Sequence, residues 1–186
     1  MKTAKTTYVS KIIISALLCA IGIIIPLYSP LKIVLEPASF TLGSHIAIFI
    51  AMFISPAVAV AVSLGTTLGF LLGGFPIVVV LRAATHIVFA LIGALVLQKK
   101  PDILRSTFKS AAFSVYIGLI HGVCEVVVVT PFYFGSGMSQ AYYAKGFMVS
   151  VILLVGIGTV IHSTVDFILA YIIWRGLRIN NLSRAT

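Results

Sequence analysis

Charge is what this sequence has least of. Only 9% of its 186 residues are charged, against roughly a quarter in a soluble domain, while 60% are hydrophobic. Too few polar side chains exist to cover a water-soluble fold, so that class is excluded and a polytopic membrane protein is implied. Acids are scarcer still, four against thirteen lysines and arginines, for a formal charge of +9. The basic residues sit at the ends of apolar segments and not on one polar face, which marks them as topology signals and argues against a nucleic-acid partner. Cys19 and Cys124 lie inside apolar runs without metal-ligand spacing and read as small core residues. The sequence contains no GxxxxGK[ST], HExxH, HxxEH or CxxC, and no nucleophile with an adjacent base, so neither an ATPase site nor an enzyme is expected.

What is present is a series of apolar runs separated by Pro, Gly or charge. They predict six helices at roughly 10–28, 41–54, 56–72, 77–98, 107–130 and 146–175, in a single integral-membrane domain spanning residues 1–186. Ser55-Pro56 divides the run 41–72, and a single kinked helix there would reduce the count to five. The basic residues arbitrate. With six spans, Lys2, Lys5, Lys11, Lys99, Lys100, Arg105, Lys109, Arg175, Arg178 and Arg184 all fall on the cytoplasmic side, and only Lys32 and Lys145 lie outside. The expectation is an all-α membrane protein with six transmembrane helices and both termini cytoplasmic. No small-x-small cleavage site follows the first apolar run, which is expected to stay as the first membrane helix.

The fourth run carries Arg82 inside the apolar stretch IVVVLRAATHIVFALIGALVL. A guanidinium in hydrocarbon costs at least about 2.5 kcal/mol on the gentlest insertion scale, so an intramembrane arginine calls for a function. His86 follows on the same helical face, and Gly73, Gly74 and Pro76 leave the helix N-terminus facing the same space. Together they describe a seat for an anion, most simply a carboxylate. His121 and Glu125 in the fifth run, and His162 and Asp166 in the sixth, repeat the i, i+4 pairing. Counting residues down from the expected outer ends puts Arg82 level with Glu125 and His86 level with His121. Glu125 either neutralises Arg82 or accepts hydrogen bonds from a ligand; an Arg82–Glu125 ion pair without a ligand role is the alternative. The same count places His162 and Asp166 deeper, in the cytoplasmic half, as interhelical ties, and treats His45 as a packing residue. A metal-ion carrier is disfavoured because the fixed charge of Arg82 raises the cost of a neighbouring cation.

The first outer loop, SPLKIVLEPASFT, holds Lys32, Glu36, Pro37, Ser39 and Phe40 and reads as a semi-rigid flap, with Ser39 a candidate ligand contact. The fifth-to-sixth connection is rich in aromatics, and Tyr142 is a candidate cap. In the first helix Ala16 and Ala20, at i, i+4, form a small-residue strip that lets another helix approach closely.

In this layout the chain resembles the substrate-binding S components of energy-coupling factor vitamin transporters. The match rests on SALLCA with Ala16 and Ala20, the long outer loop ending PASFT, GGFP before the fourth helix, and polar residues in helices four to six. The resemblance implies a cell-membrane protein, multi-pass and prokaryotic, that captures a vitamin and docks through Ala16 and Ala20 on a transmembrane coupling subunit driven by two ATPase subunits. It implies no cofactor and no resident metal. With Arg82, His86, His121, Glu125, Ser39 and Tyr142 as the ligand set, a carboxylate vitamin is expected, pantothenate first and nicotinate second. Few aromatics near the site, with Trp174 at the far end, weigh against large flat rings. A neutral pyrimidine- or pyridoxine-like vitamin, a stand-alone secondary transporter and a metal-ion carrier remain as alternatives.

Overall fold

The computed structural model describes residues 8–35, 38–135 and 140–183, with side chains 34–39 and 178–183 excluded. Among these residues the architecture is a helical bundle carrying one two-stranded hairpin. Four helical stretches, Tyr8–Tyr28, Ile77–Lys99, Thr107–Phe134 and Met148–Leu177, are long and apolar enough to cross a membrane, and Pro56–Leu72 is a shorter apolar helix. The chain is an all-α membrane protein in its spanning part.

Helix α1 (Tyr8–Tyr28) lies at the periphery. Ile12, Leu17 and Ile24 are exposed, an apolar outer face suited to lipid, while Leu18, Gly22 and Pro26 turn inward. Strands β1 (Lys32–Leu35) and β2 (Ala38–Thr41) pair antiparallel with Lys32 opposite Thr41. The flap is therefore a hairpin, and residues 41–45, expected to be helical, complete β2 and a turn. Gly43 in that turn has φ +84°, a conformation that favours glycine. Helix α2 (Ile46–Ile54) has only nine residues. Its sequence, IAIFIAMFI, is apolar on every side, and a helix of that kind belongs in the interior. Accordingly it packs against α1, α3 (Pro56–Leu72), α4 (Ile77–Lys99) and α7 (Gly158–Ser183). Ser55 separates α2 from α3: its backbone is extended, its hydroxyl accepts from Val58 N–H, and Pro56 occupies the first turn of α3.

A short 3₁₀ turn, Pro101–Arg105, leads into α5 (Thr107–Phe134). Lys109 donates a hydrogen bond to Asp102 across it and holds that carboxyl below its usual range. Helix α6 (Gln140–Ala144) is a single turn. The last long helix opens as a π-helix over Met148–Ile157 and continues as α7. At their junction Gly158 N–H donates to the carbonyl of Leu153, the five-residue spacing of the wider π turn. Helix α5 lies close to this segment at glycines: a Cβ on Gly122 would stand 2.8 Å from the carbonyl oxygen of Gly156. Cys19 and Cys124 are free thiols.

Candidate functional site

His45 in the turn ahead of α2, Arg82 and His86 of α4, His121 and Glu125 of α5, and His162 and Asp166 of α7 converge on one buried region. Arg82 Nη2 donates to Glu125 Oε2 at 2.8 Å, and the Thr159 hydroxyl donates to the same oxygen at 2.6 Å. His121 Nε2 lies 3.3 Å from the other carboxylate oxygen. Arg82 and Glu125 are only 8% and 3% exposed, so the pair is shielded from water and each charge depends on the other. The guanidinium is not fully used: Arg82 Nε is buried without a partner.

His86 and His121 pack edge to face with ring centroids 4.9 Å apart. Both rings also lie 4.8 Å from His45, and His162 lies 5.0 Å from it on another side. The other three histidines of the chain thus surround His45. Asp166 fixes that centre. Its Oδ1 accepts Gly43 N–H at 2.7 Å, while Oδ2 accepts His45 N–H at 2.9 Å and faces His45 Nδ1 at 3.0 Å. The Ser44 hydroxyl sits 3.1 Å from His162 Nε2. One carboxylate from α7 therefore clamps the turn ahead of α2 and orients a histidine ring.

Above this polar floor is a cavity of about 70 Å³, room for about two waters at roughly 30 Å³ each. Arg82, His45, His86 and His162 reach it, Lys32 contributes from the exposed edge of β1, and Phe40, Phe70 and Phe75 supply aromatic surface. Phe70 and Phe75 stack with centroids 4.7 Å apart and planes 20° apart, because the chain reverses between α3 and α4 through Gly74 at φ +74°. Phe40 leans over α7, 5.3 Å from His162. A Cβ on Gly158 would approach that ring to 2.7 Å, so a side chain there would push the hairpin off α7.

The structure thus brings Arg82, Glu125, His86 and His121 together. Tyr142 stands apart from the cavity lining, in a neighbouring cluster with Val129, Val151 and Val155, its ring 5.5 Å from Tyr133. Burial pushes its phenol up to about 12, so it stays neutral. The Ser39 backbone belongs to β2, but its side chain lies outside the described residues. Ala16 and Ala20 are exposed on α1.

Three expectations are corrected. His45 has the satisfied ring expected of a packing residue, through Asp166, but it stands at the centre of the polar cluster and not among apolar side chains alone. His162 and Asp166 belong to that same cluster and not to a deeper layer, since the His162 ring lies 5.0 Å from His45 and the Asp166 carboxylate bonds His45 directly. Aromatic surface is present after all, in Phe40, Phe70 and Phe75, whose contributions come from a hairpin and a turn.

Over 171 residues the chain is 38% identical to the niacin transporter NiaX of Lactococcus lactis subsp. cremoris (strain MG1363), a match covering 91% of this chain and 75% of that protein. The chain belongs to the NiaX family. No family model matches the sequence, and no solved structure matches it. Membership in the NiaX family and the long apolar helices together make it a multi-pass membrane protein from a family of transporters.

Proposed function

We propose that the chain is a nicotinate-binding S component of an energy-coupling factor importer in the cell membrane of a prokaryote. The observation that carries the reading is Arg82 on the wall of a small cavity faced by three phenylalanines, its guanidinium not fully used inside the protein because Nε is without a partner. A carboxylate accepts from that guanidinium, and a single flat ring suits the space between Phe40, Phe70 and Phe75. The relative's niacin specificity points the same way. Nicotinate accordingly displaces pantothenate as the first choice, since pantothenate is longer, flexible and without a ring to stack. His86 and His121 line the polar floor beside Arg82, and Glu125 holds the guanidinium in place.

In this reading the chain crosses the membrane six times with both termini in the cytoplasm. The hairpin covers the cavity on the outer side. The outward strip at Ala16 and Ala20 receives a transmembrane coupling subunit, and two ATPase subunits supply the energy. A calorimetric panel on the purified chain tests the ligand. Nicotinate should bind far more tightly than nicotinamide, which keeps the ring and lacks the carboxylate, and more tightly than pantothenate. Equal affinity for nicotinate and nicotinamide would remove the role of the cation. Nicotinate uptake by liposomes holding this chain alone would instead identify a secondary transporter.

A further inference from the structure

The histidine cluster exceeds what a small organic acid needs. From the geometry we infer that His45, His86 and His121 form a site for one divalent transition-metal ion of the zinc, cobalt and nickel class, with Asp166 as the orienting partner of His45. One ring nitrogen from each of the three histidines lies within 4.8 Å of one from each of the others, and all three residues are buried. Small ring rotations bring such a set to the spacing of a metal's coordination shell.

The free nitrogens select these three residues. His86 Nδ1 and His121 Nδ1 are buried without a hydrogen-bond partner, while His121 Nε2 faces Glu125 Oε1 at 3.3 Å. His45 gives Nδ1 to Asp166, which leaves Nε2 to ligate, the carboxylate–histidine–metal arrangement that fixes tautomer and ring orientation. The other grouping, His45 with His162 and Asp166, is already committed. Both carboxylate oxygens of Asp166 accept backbone N–H bonds from Gly43 and His45, and His162 Nε2 meets the Ser44 hydroxyl. His45 and His86 also line the cavity, so the fourth coordination position opens toward it for water or an anionic ligand.

The fixed charge of Arg82 is answered by Glu125 at 2.8 Å, and Asp166 sets a carboxylate against His45, while the Lys32 ammonium stays at the exposed edge of the cavity. Neutral imidazoles backed by one carboxylate suit a borderline-soft dication.

The test uses the full-length chain without an affinity tag, stripped with chelator and titrated with cobalt(II). One ion per chain should bind, with the visible ligand-field bands of a four-coordinate site, and zinc should displace it. His86→Gln and His121→Gln should each abolish the spectrum, while His162→Gln should retain it. X-ray absorption on the cobalt-loaded wild-type chain, which depends on no variant's folding, should show three imidazole ligands. Absence of stoichiometric cobalt binding, fewer than three imidazoles, or a spectrum that survives both His86→Gln and His121→Gln would overturn the assignment. None of these readouts involves a vitamin, so their failure is distinguishable from failure of the nicotinate reading.

Discussion

Replacing the two members of the buried ion pair singly and together separates its structural role from its role in binding. In Arg82→Met the carboxylate of Glu125 keeps the Thr159 hydroxyl and the neighbouring His121 but loses its countercharge. In Glu125→Leu the guanidinium is left without its one charged partner among the described residues. Stranding either charge in a water-excluded site should destabilise the chain by about 3–5 kcal/mol. The double variant strands neither charge, and exchanging a buried pair for apolar side chains of similar volume is often neutral or better. Equilibrium unfolding in mixed detergent should therefore show two unstable single variants and a double variant near wild type. Nicotinate binding should follow a different pattern, because the carboxylate needs the guanidinium whatever the fold's stability. A hydrogen bond to a charged group contributes about 1.5–3 kcal/mol, so the double variant should bind about 10- to 150-fold more weakly by calorimetry. Wild-type affinity in the stable double variant would refute Arg82 as the ligand's anchor, leaving the pair a helix-to-helix tie.

That pair was legible because helical arithmetic needs only residue counts. Counting inward put Arg82 and Glu125 at one depth, and they stand 2.8 Å apart. The break at Ser55-Pro56 was legible for a local reason, a hydroxyl that caps and a proline that starts a helix. His45 was not. It has no i, i+4 titratable partner to mark a face, and its orientation is set by Asp166, 121 residues away in the chain. Its cluster was further hidden because depth counting along the last helix rests on an assumed outer end, and the π-helix at Met148–Ile157 has an apolar sequence with no signature distinguishing it from an α-helix. The hairpin was hidden because its two four-residue strands flank Glu36-Pro37 and read as loop beside long apolar runs. Phe70 and Phe75 stack only because Gly73 and Gly74 reverse the chain between them, a contact that periodicity does not report.

Lys32 borders the cavity from an exposed strand, so Lys32→Gln should weaken nicotinate binding only about two- to fivefold at low salt, the screened scale of surface charge, and less at high salt; unchanged affinity at low salt would exclude it. Gly122→Ala would press a methyl to 2.8 Å from the Gly156 carbonyl, where backbone must move, and should cost about 1–3 kcal/mol in unfolding measurements. Ala16→Trp and Ala20→Trp face outward and should leave vitamin binding intact while stopping uptake in cells that hold the coupling subunits; full uptake by both would end the docking role. Asp166→Asn tests whether one carboxylate organises the whole polar floor. The carboxylate accepts from Gly43 N–H, His45 N–H and His45 Nδ1, and an amide turns one accepting oxygen into a donor. Whichever way the amide lies, at least one buried N–H then faces another donor, a mismatch of about 1–3 kcal/mol at each such contact. Because the lost contacts belong to the turn ahead of α2, hydrogen exchange should rise at Gly43 and His45 more than within α5. A uniform rise along the chain would mean that Asp166 stabilises the bundle in general and does not set the turn and the His45 ring.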